Sequence, residues 1–288
     1  MTTTTPEPTP LGIIAAGGVM PRRLADDVLA SGRAVYVVAI REFAEAPLYA
    51  GLPHRVVRLG AAGQLIAAFR GAGVRDLVLL GHARRPSLLS LFPDAWTAAA
   101  IARVGRGYFA GGDDTLLRGV TRVLEDEGFA VRGVHEVRAG LTQAPGLLAG
   151  PAPDAAQAAD IRRGIAVLRA MGPVDVGQAV VVQQGLVLAV EAIEGTDAML
   201  ARAGTLRREG PGGVLVKLAK PGQDLRLDMP TIGPVTVENA KAAGLCGIAI
   251  DAGRSLVTES ETCITLAARY GLFIISIDPE AFNKDTPI

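Results

Sequence analysis

The segment VLVKLAKPGQDLRLDMPTIGP, residues 214–234, collects Lys217, Lys220, Gln223, Asp224, Arg226 and Asp228 between two apolar ends. Pro221 and Pro230 rule out a regular helix, since each removes a backbone donor and crowds the preceding turn. If residues 224–228 run extended, Asp224, Arg226 and Asp228 share one face by the two-residue period of a strand. Lys217 lies inside an apolar run, where a lysine is rarely fully buried without a partner. Lysine and arginine neutralise phosphate oxygens, and an aspartate holds a divalent cation or orients water. That is the equipment of phosphoryl and phosphodiester chemistry. A salt-bridge network on an exposed face is the plainer alternative. The proline and glycine bracket, Pro221-Gly222 before and Gly233-Pro234 after, fixes the loop more than solubility requires.

Other stretches offer related chemistry. In VEAIEGTDAML (190–200) Glu191, Glu194 and Asp197 recur every three residues beside Gly195, and Thr196 sits among them. Mg²⁺ favours such oxygen ligands, taking one or two carboxylates together with substrate phosphates. An exposed turn with a capped helix start explains the same residues. AAGGVMP places Gly17 and Gly18 before a helix whose first position suits Pro21, so backbone amides there form an anion site or merely a tight turn. The text is not G-x-G-x-x-G, and the following strand ends in Arg41 rather than an acid, so the dinucleotide fingerprint is absent. GHARRPSL (81–88) sets His82, Arg84 and Arg85 just after a strand, where open α/β sheets bind ligands. GGDDTLL (111–117) puts two carboxylates before a helix, and capping accounts for one.

The elements that position these residues alternate. Residues 11–18, 34–40, 76–81 and 129–134 read as strands, and 21–32, 61–73 and 115–128 as helices. That pattern predicts an open, largely parallel sheet with flanking helices over 11 to about 137. Residues 139–157, rich in glycine, proline and small side chains, read as a linker or crossing segment. Beyond it come a helix from 155 and a hairpin of 178–183 and 186–193 around Gln184-Gly185. A strand over 213–219 and a strand–helix–strand unit over 247–278 follow. Thr258 and Glu261 have capping-box spacing and Gly271 is placed as a helix stop.

Composition narrows the class. Hydrophobic residues are 49% and charged residues 20% of 288, with formal net charge zero. No basic excess supports nucleic-acid binding. Two cysteines, Cys246 and Cys263, are too few for a disulfide framework and lack zinc spacing, as in a reduced, cytosolic protein. The start MTTTTPEPTP is a polar tail, expected disordered over 1–10, and does not read as a signal peptide. No apolar run of about 18 residues marks a transmembrane helix.

LGIIAAGGVMPRRLA, ARRPSL, GGDDTLL, DVGQAVVVQQGLVLAVEAIEGTDAML and VLVKLAKPGQDLRLDMPTIGPVTVENA, in that order over about 11–278, together resemble the LpxI-type UDP-2,3-diacylglucosamine pyrophosphatases. The last two motifs are long and unusual. The resemblance implies an α/β protein with an N-terminal Rossmann-like open-sheet domain (11–140) and a C-terminal α/β domain (141–288) carrying the acidic site. It implies a Mg²⁺-dependent hydrolase of lipid A biosynthesis that converts UDP-2,3-diacylglucosamine to UMP and 2,3-diacylglucosamine 1-phosphate (lipid X). A cytoplasmic homodimer with transient contact at the inner-membrane surface is implied too. The family's essential aspartate falls on Asp228. Asp228, Asp197 and Asp224 become the candidate metal ligands. Gly17, Gly18, Arg84, Arg85, Gln178, Thr196, Lys217, Gln223 and Arg226 become candidate substrate contacts. Family members often open with three glycines, whereas Ala16 precedes Gly17 here. A nucleotide-sugar-dependent transferase and a non-catalytic nucleotide-sugar binding protein are the alternatives on the same residues.

Overall fold

A computed structural model describes residues 9–83, 92–104 and 113–284, with side-chain surroundings for all of these but 104, 113, 114, 283 and 284. The chain divides into two compact units between Ala139 and Gly140.

The first unit is built on β1 (Leu11–Ala15), β2 (Val35–Ile40), β3 (His54–Val57), β4 (Asp76–Leu80) and β5 (Ala130–Val131). They form one sheet in the order β3-β2-β1-β4-β5, and every neighbouring pair is parallel. Helices α1 (Met20–Ala30), α2 (Ala62–Gly71), α3 (Ala95–Val104), α4 (Asp113–Asp126) and α5 (Val134–Val137) make the connections. In a parallel sheet covered on both faces, strands read as near-continuous apolar runs. β1 and β2 do so, and Leu11, Ile13, Val37 and Val38 are fully buried. The chain order reverses between β1 and β4, so the ligand crevice of such a sheet lies beyond those two strands. The strand expected over 129–134 is shortened to two residues, because α5 begins at Val134.

The second unit holds β6 (Gly146–Ala149), β7 (Ala179–Gln183), β8 (Leu186–Val190), β9 (Val214–Lys217), β11 (Gly247–Asp251) and β13 (Phe273–Ile277) in one sheet. Its order is β6-β13-β11-β9-β7-β8, with a separate pair of β10 (Thr231–Ile232) and β12 (Leu256–Val257). β9, β11 and β13 run parallel, while β6 and β7 run against their neighbours. Residues 146–149, expected within a linker, are thus an edge strand. Leu147 and Leu148 supply just enough β-forming text between two glycines to pair with β13.

Two apolar layers cover the sheet. On one face α6 (Ala155–Met171) packs Ile161, Ile165 and Leu168 against Val180, Val182, Val214 and Val216. On the other, α7 (Gly195–Thr205), α8 (Pro234–Ala242) and α9 (Ser260–Tyr270) pack Met199, Val237 and Cys263 against Val181, Leu215 and Ile248. The alternation of Val214, Leu215 and Val216 between layers is the period of two. By the same parity Lys217 follows Leu215 toward α7. A short α10 (Pro279–Lys284) completes the unit.

Local signals fix the joints. The β7–β8 turn has positive φ at both Gln184 (54°) and Gly185 (76°), the requirement of a type I′ hairpin. Buried Asp160 accepts both of their amides, at 3.0 and 2.6 Å. Gly271 ends α9 in the left-handed conformation at φ 68°. The capping box expected of Thr258 and Glu261 does not form: Glu259 precedes the helix at φ 51°, and Thr258 Oγ1 donates to Ile232 O at 3.2 Å. Thr258 joins the β10–β12 pair instead, which is a contact distant in sequence.

Candidate active site at the carboxyl edge of the second sheet

Strand directions gather the chemistry at one edge. Lys217 ends β9 and Asp251 ends β11, while Asp278 follows β13. β7 is antiparallel to β9 with Ala179 opposite Lys217, so Gln178 enters at the same edge. β8 returns along β7 and delivers Glu191 there as well.

Lys217 and Glu191 are both buried, at 5% and 6% exposure. Their charged atoms are 3.9 Å apart, Nζ to Oε1. Thr196, in the first turn of α7, bridges them: its Oγ1 accepts from Lys217 Nζ at 2.5 Å and donates to Glu191 Oε1 at 2.6 Å. Glu191 Oε2 takes the Gln178 amide at 3.0 Å. This answers how a lysine can end an apolar strand. Its ammonium is paired with Glu191 and hydrogen-bonded to Thr196, as a buried charge requires. Gln178 Oε1 is buried with no hydrogen-bond partner among the described residues.

The loop after β9 is pinned along its length. Leu218 N donates to Gln178 O at 3.0 Å, Ala219 N to Asp251 Oδ2 at 3.2 Å, and Lys220 Nζ to Asp175. Gln223 is buried and spans the loop, accepting from Lys220 N at 2.8 Å and donating to Asp228 Oδ2 at 2.7 Å. Buried Leu227 and Met229 flank half-buried Asp228. Leu256 N bonds Pro230 O at 2.8 Å and closes the far end.

The extended face expected of 224, 226 and 228 is corrected here. Leu227 N and Asp228 N both bond Asp224 O, at 3.0 and 3.3 Å, so 224–228 is a helical turn. Arg226 closes back on Asp224, with Nε on Oδ1 at 3.0 Å and a terminal nitrogen on Oδ2 at 2.7 Å. Such two-point pairing occupies both carboxylate oxygens. Asp224 is therefore a brace for Arg226. Asp197 accepts from Asn239 Nδ2 at 2.9 Å on the α7–α8 side. Glu194 pairs with Arg202 at 2.6 Å, which holds its carboxyl below the usual range. Among the described residues no three His, Cys, Asp or Glu side chains form a metal-holding group.

In the first unit, Gly17 N donates to His82 O at 2.9 Å and His82 N to Gly17 O at 3.0 Å. A Cβ on Gly17 would stand 2.5 Å from His82 Nε2. A side chain at Gly17 would displace the His82 ring, and the Gly17 amide is already used. Gly18, at φ 90°, supplies the left-handed turn into α1. Arg84 and Arg85 lie outside the described residues, as do Gly111, Gly112 and the side chains of Asp113 and Asp114.

Residues 10–141 match the model of the LpxI N-terminal domain and 144–275 that of the LpxI C-terminal domain. Over 276 residues, 94% of this chain and 98% of the relative, the sequence is 41% identical to the UDP-2,3-diacylglucosamine pyrophosphatase LpxI of Caulobacter vibrioides. The chain belongs to the LpxI family. A solved CobK precorrin-6A reductase aligns over 94% of this chain and 88% of its own, at TM-score 0.35 and 14% identity, a likeness too low to carry an argument.

Beside the Asp228 loop, this LpxI-family chain has a crevice of about 620 Å³ beyond the carboxyl ends of β9, β11 and β13. Gln143, Arg169, Ala219, Asp251, Arg254 and Asp278 are among the residues that line it. Asp251 is 4% exposed, and burial raises its pKa against the opposing pull of Arg254. None of Asp251, Arg254, Asp278 and Arg169 was legible as a site residue. Asp251 reads as the polar end of GIAID, and the signal available was its place at a strand's carboxyl end before a glycine turn. Among the described residues no helix is long and apolar enough to cross a membrane.

Proposed function

We propose that this chain hydrolyses the pyrophosphate bond of UDP-2,3-diacylglucosamine, giving UMP and 2,3-diacylglucosamine 1-phosphate. The observation that carries the reading is the 41% identity, spanning nearly both chains, to a relative named for that activity. The edge described above agrees with the chemistry required. A diphosphate brings negative charge that a directed ammonium offsets, and Lys217 is held for that role by Thr196 and Glu191. Asp228, oriented by Gln223, orients the attacking water or holds Mg²⁺. Mg²⁺ needs only one or two protein carboxylates beside substrate phosphates; Asp228 would hold it, with Asp224 and Asp197 as the further candidates. When bound, the ion neutralises charge developing on the phosphate oxygens. Gln178 Oε1, a buried acceptor with no donor among the described residues, suits a hydroxyl of the sugar or ribose. Mg²⁺ dependence, homodimer formation, and a cytoplasmic site with contact at the inner-membrane surface rest on the family resemblance alone.

Phosphorus NMR of the protein with UDP-2,3-diacylglucosamine, first with Mg²⁺ and then with EDTA, tests the reading. Magnesium-dependent appearance of UMP and the sugar 1-phosphate, abolished by Asp228→Ala, is the expected result. An unchanged diphosphate signal despite measured binding would make this a binding protein. Turnover that starts only when an acceptor is added would make it a transferase.

A further inference from the structure

The loop that presents Asp228 leaves β9 and crosses the end of β11, where it meets a carboxylate that no sequence motif singles out. Asp251 Oδ2 accepts the Ala219 amide at 3.2 Å. The carboxylate is 4% exposed, and its own backbone amide is held by Ser255 Oγ at 3.1 Å. From Ala219 the bonds continue through the Lys220–Gln223 turn and the Gln223 side chain to Asp228. We propose that Asp251 is a positioning residue, a latch at the end of β11 that fixes the Leu218–Gln223 turn and through it the orientation of Asp228. The inference rests on the hydrolase reading of this edge.

The placement is not what stability alone would select. Burial disfavours the ionised form of Asp251, so its pKa is raised. The charged groups that face it are Arg254, with Nε 4.0 Å from Oδ2, together with Asp278 and Arg169. Arg254 and Arg169 favour the charged form, and Asp278 opposes it. A raised folded-state pKa means the native protein binds the proton more tightly than the unfolded chain. Stability therefore falls as pH rises from the ordinary aspartate range through the folded value. At neutral pH the ionised latch costs stability, as expected of a group kept for geometry.

The test compares Asp251→Ala, which removes the acceptor, with Asp251→Asn, which keeps an acceptor oxygen and removes the charge. Amide exchange at Ala219 in the ligand-free protein reads the latch directly. In Asp251→Ala it should speed up by about tenfold or more. Because a misplacement of about 1 Å costs about 100-fold in rate, kcat should fall about 10–100-fold with KM within about twofold. Asp251→Asn should recover most of the protection and of kcat, with a Tm at neutral pH no lower than wild type. Its kcat profile should lose any acid limb set by Asp251. Unchanged Ala219 exchange in Asp251→Ala would overturn the latch. So would a loss of kcat in Asp251→Asn with Ala219 still protected, since the ionised carboxylate would then act on the substrate itself. If Asp251→Ala does not fold, Asp251→Ser carries the same comparison. Failure of both with a normal Asp251→Asn would make the residue merely structural. Absence of hydrolysis by the wild type would refute the hydrolase reading, and the exchange arm would still judge the latch.

Discussion

Replacing Glu191 by alanine removes the buried carboxylate on which three groups converge: the Lys217 ammonium through Thr196, the Thr196 hydroxyl, and the Gln178 amide. At the observed 3.9 Å the direct attraction of Lys217 and Glu191 is about 4 kcal/mol for an effective dielectric of about 20. Removing one partner of a buried pair costs about 3–5 kcal/mol, because the other charge is left uncompensated. For a unit of about 150 residues, each kcal/mol lowers Tm by about 2–4 °C, so a loss of about 6–20 °C is expected in thermal unfolding. Lys217→Met fills the space of the lysine stem without the charge. A double-mutant cycle isolates the pair: Glu191→Ala with Lys217→Met should be less destabilised than Glu191→Ala alone, by about 1.5 kcal/mol or more. Urea unfolding of the four proteins gives the numbers at constant m. If the double variant loses the sum of the two single losses, Lys217 and Glu191 act independently and the buried relay is refuted.

Gln223→Ala removes both the bond to Asp228 and the cross-brace to Lys220, and should lower kcat about tenfold or more while leaving the fold intact; wild-type kcat would show that Asp228 needs no such support. Gly17→Ala brings a methyl against the His82 ring. Because that ring is exposed and can swing aside, the cost should be about 1 kcal/mol, removed when His82 is also alanine. Burial pushes the Cys246 and Cys263 thiols up to about 11. Both should resist iodoacetamide in the native protein at pH 8 and react on unfolding. A raised folded-state value also means that their contribution to stability is present below the unfolded pKa and lost as pH rises through about 11. Rapid labelling of native protein at pH 8 would contradict this.

Much of the architecture was legible because it depends on local rules. Periodicity marked the strands that became β1, β2, β4, β7, β8, β9, β11 and β13. Glycine and proline marked their ends, with Gln184-Gly185 as a hairpin and Gly271 as a stop. Among the elements that escaped notice, three owe their existence to partners distant in sequence. β6 exists because β13 offers it an edge, β10 and β12 exist because they pair with each other, and Thr258 left its expected capping position to join that pair.

The site divides the same way. Residue type and bracketing sufficed to single out Lys217, Gln223, Arg226 and Asp228, since charge inside an apolar run and prolines around a polar loop are visible without coordinates. Only the tertiary structure decided what each carboxylate does. A backbone turn folded Arg226 onto Asp224, a helix-to-helix contact drew Asp197 to Asn239, and strand parity sent Lys217 to the face where Thr196 and Glu191 wait. Asp251 was silent in sequence because its meaning lies in the amide that reaches it across two strands. Sequence carries the propensity of a segment and the chemistry of its side chains. Which two groups share a hydrogen bond depends on strand order and register, and those are properties of the whole packed unit.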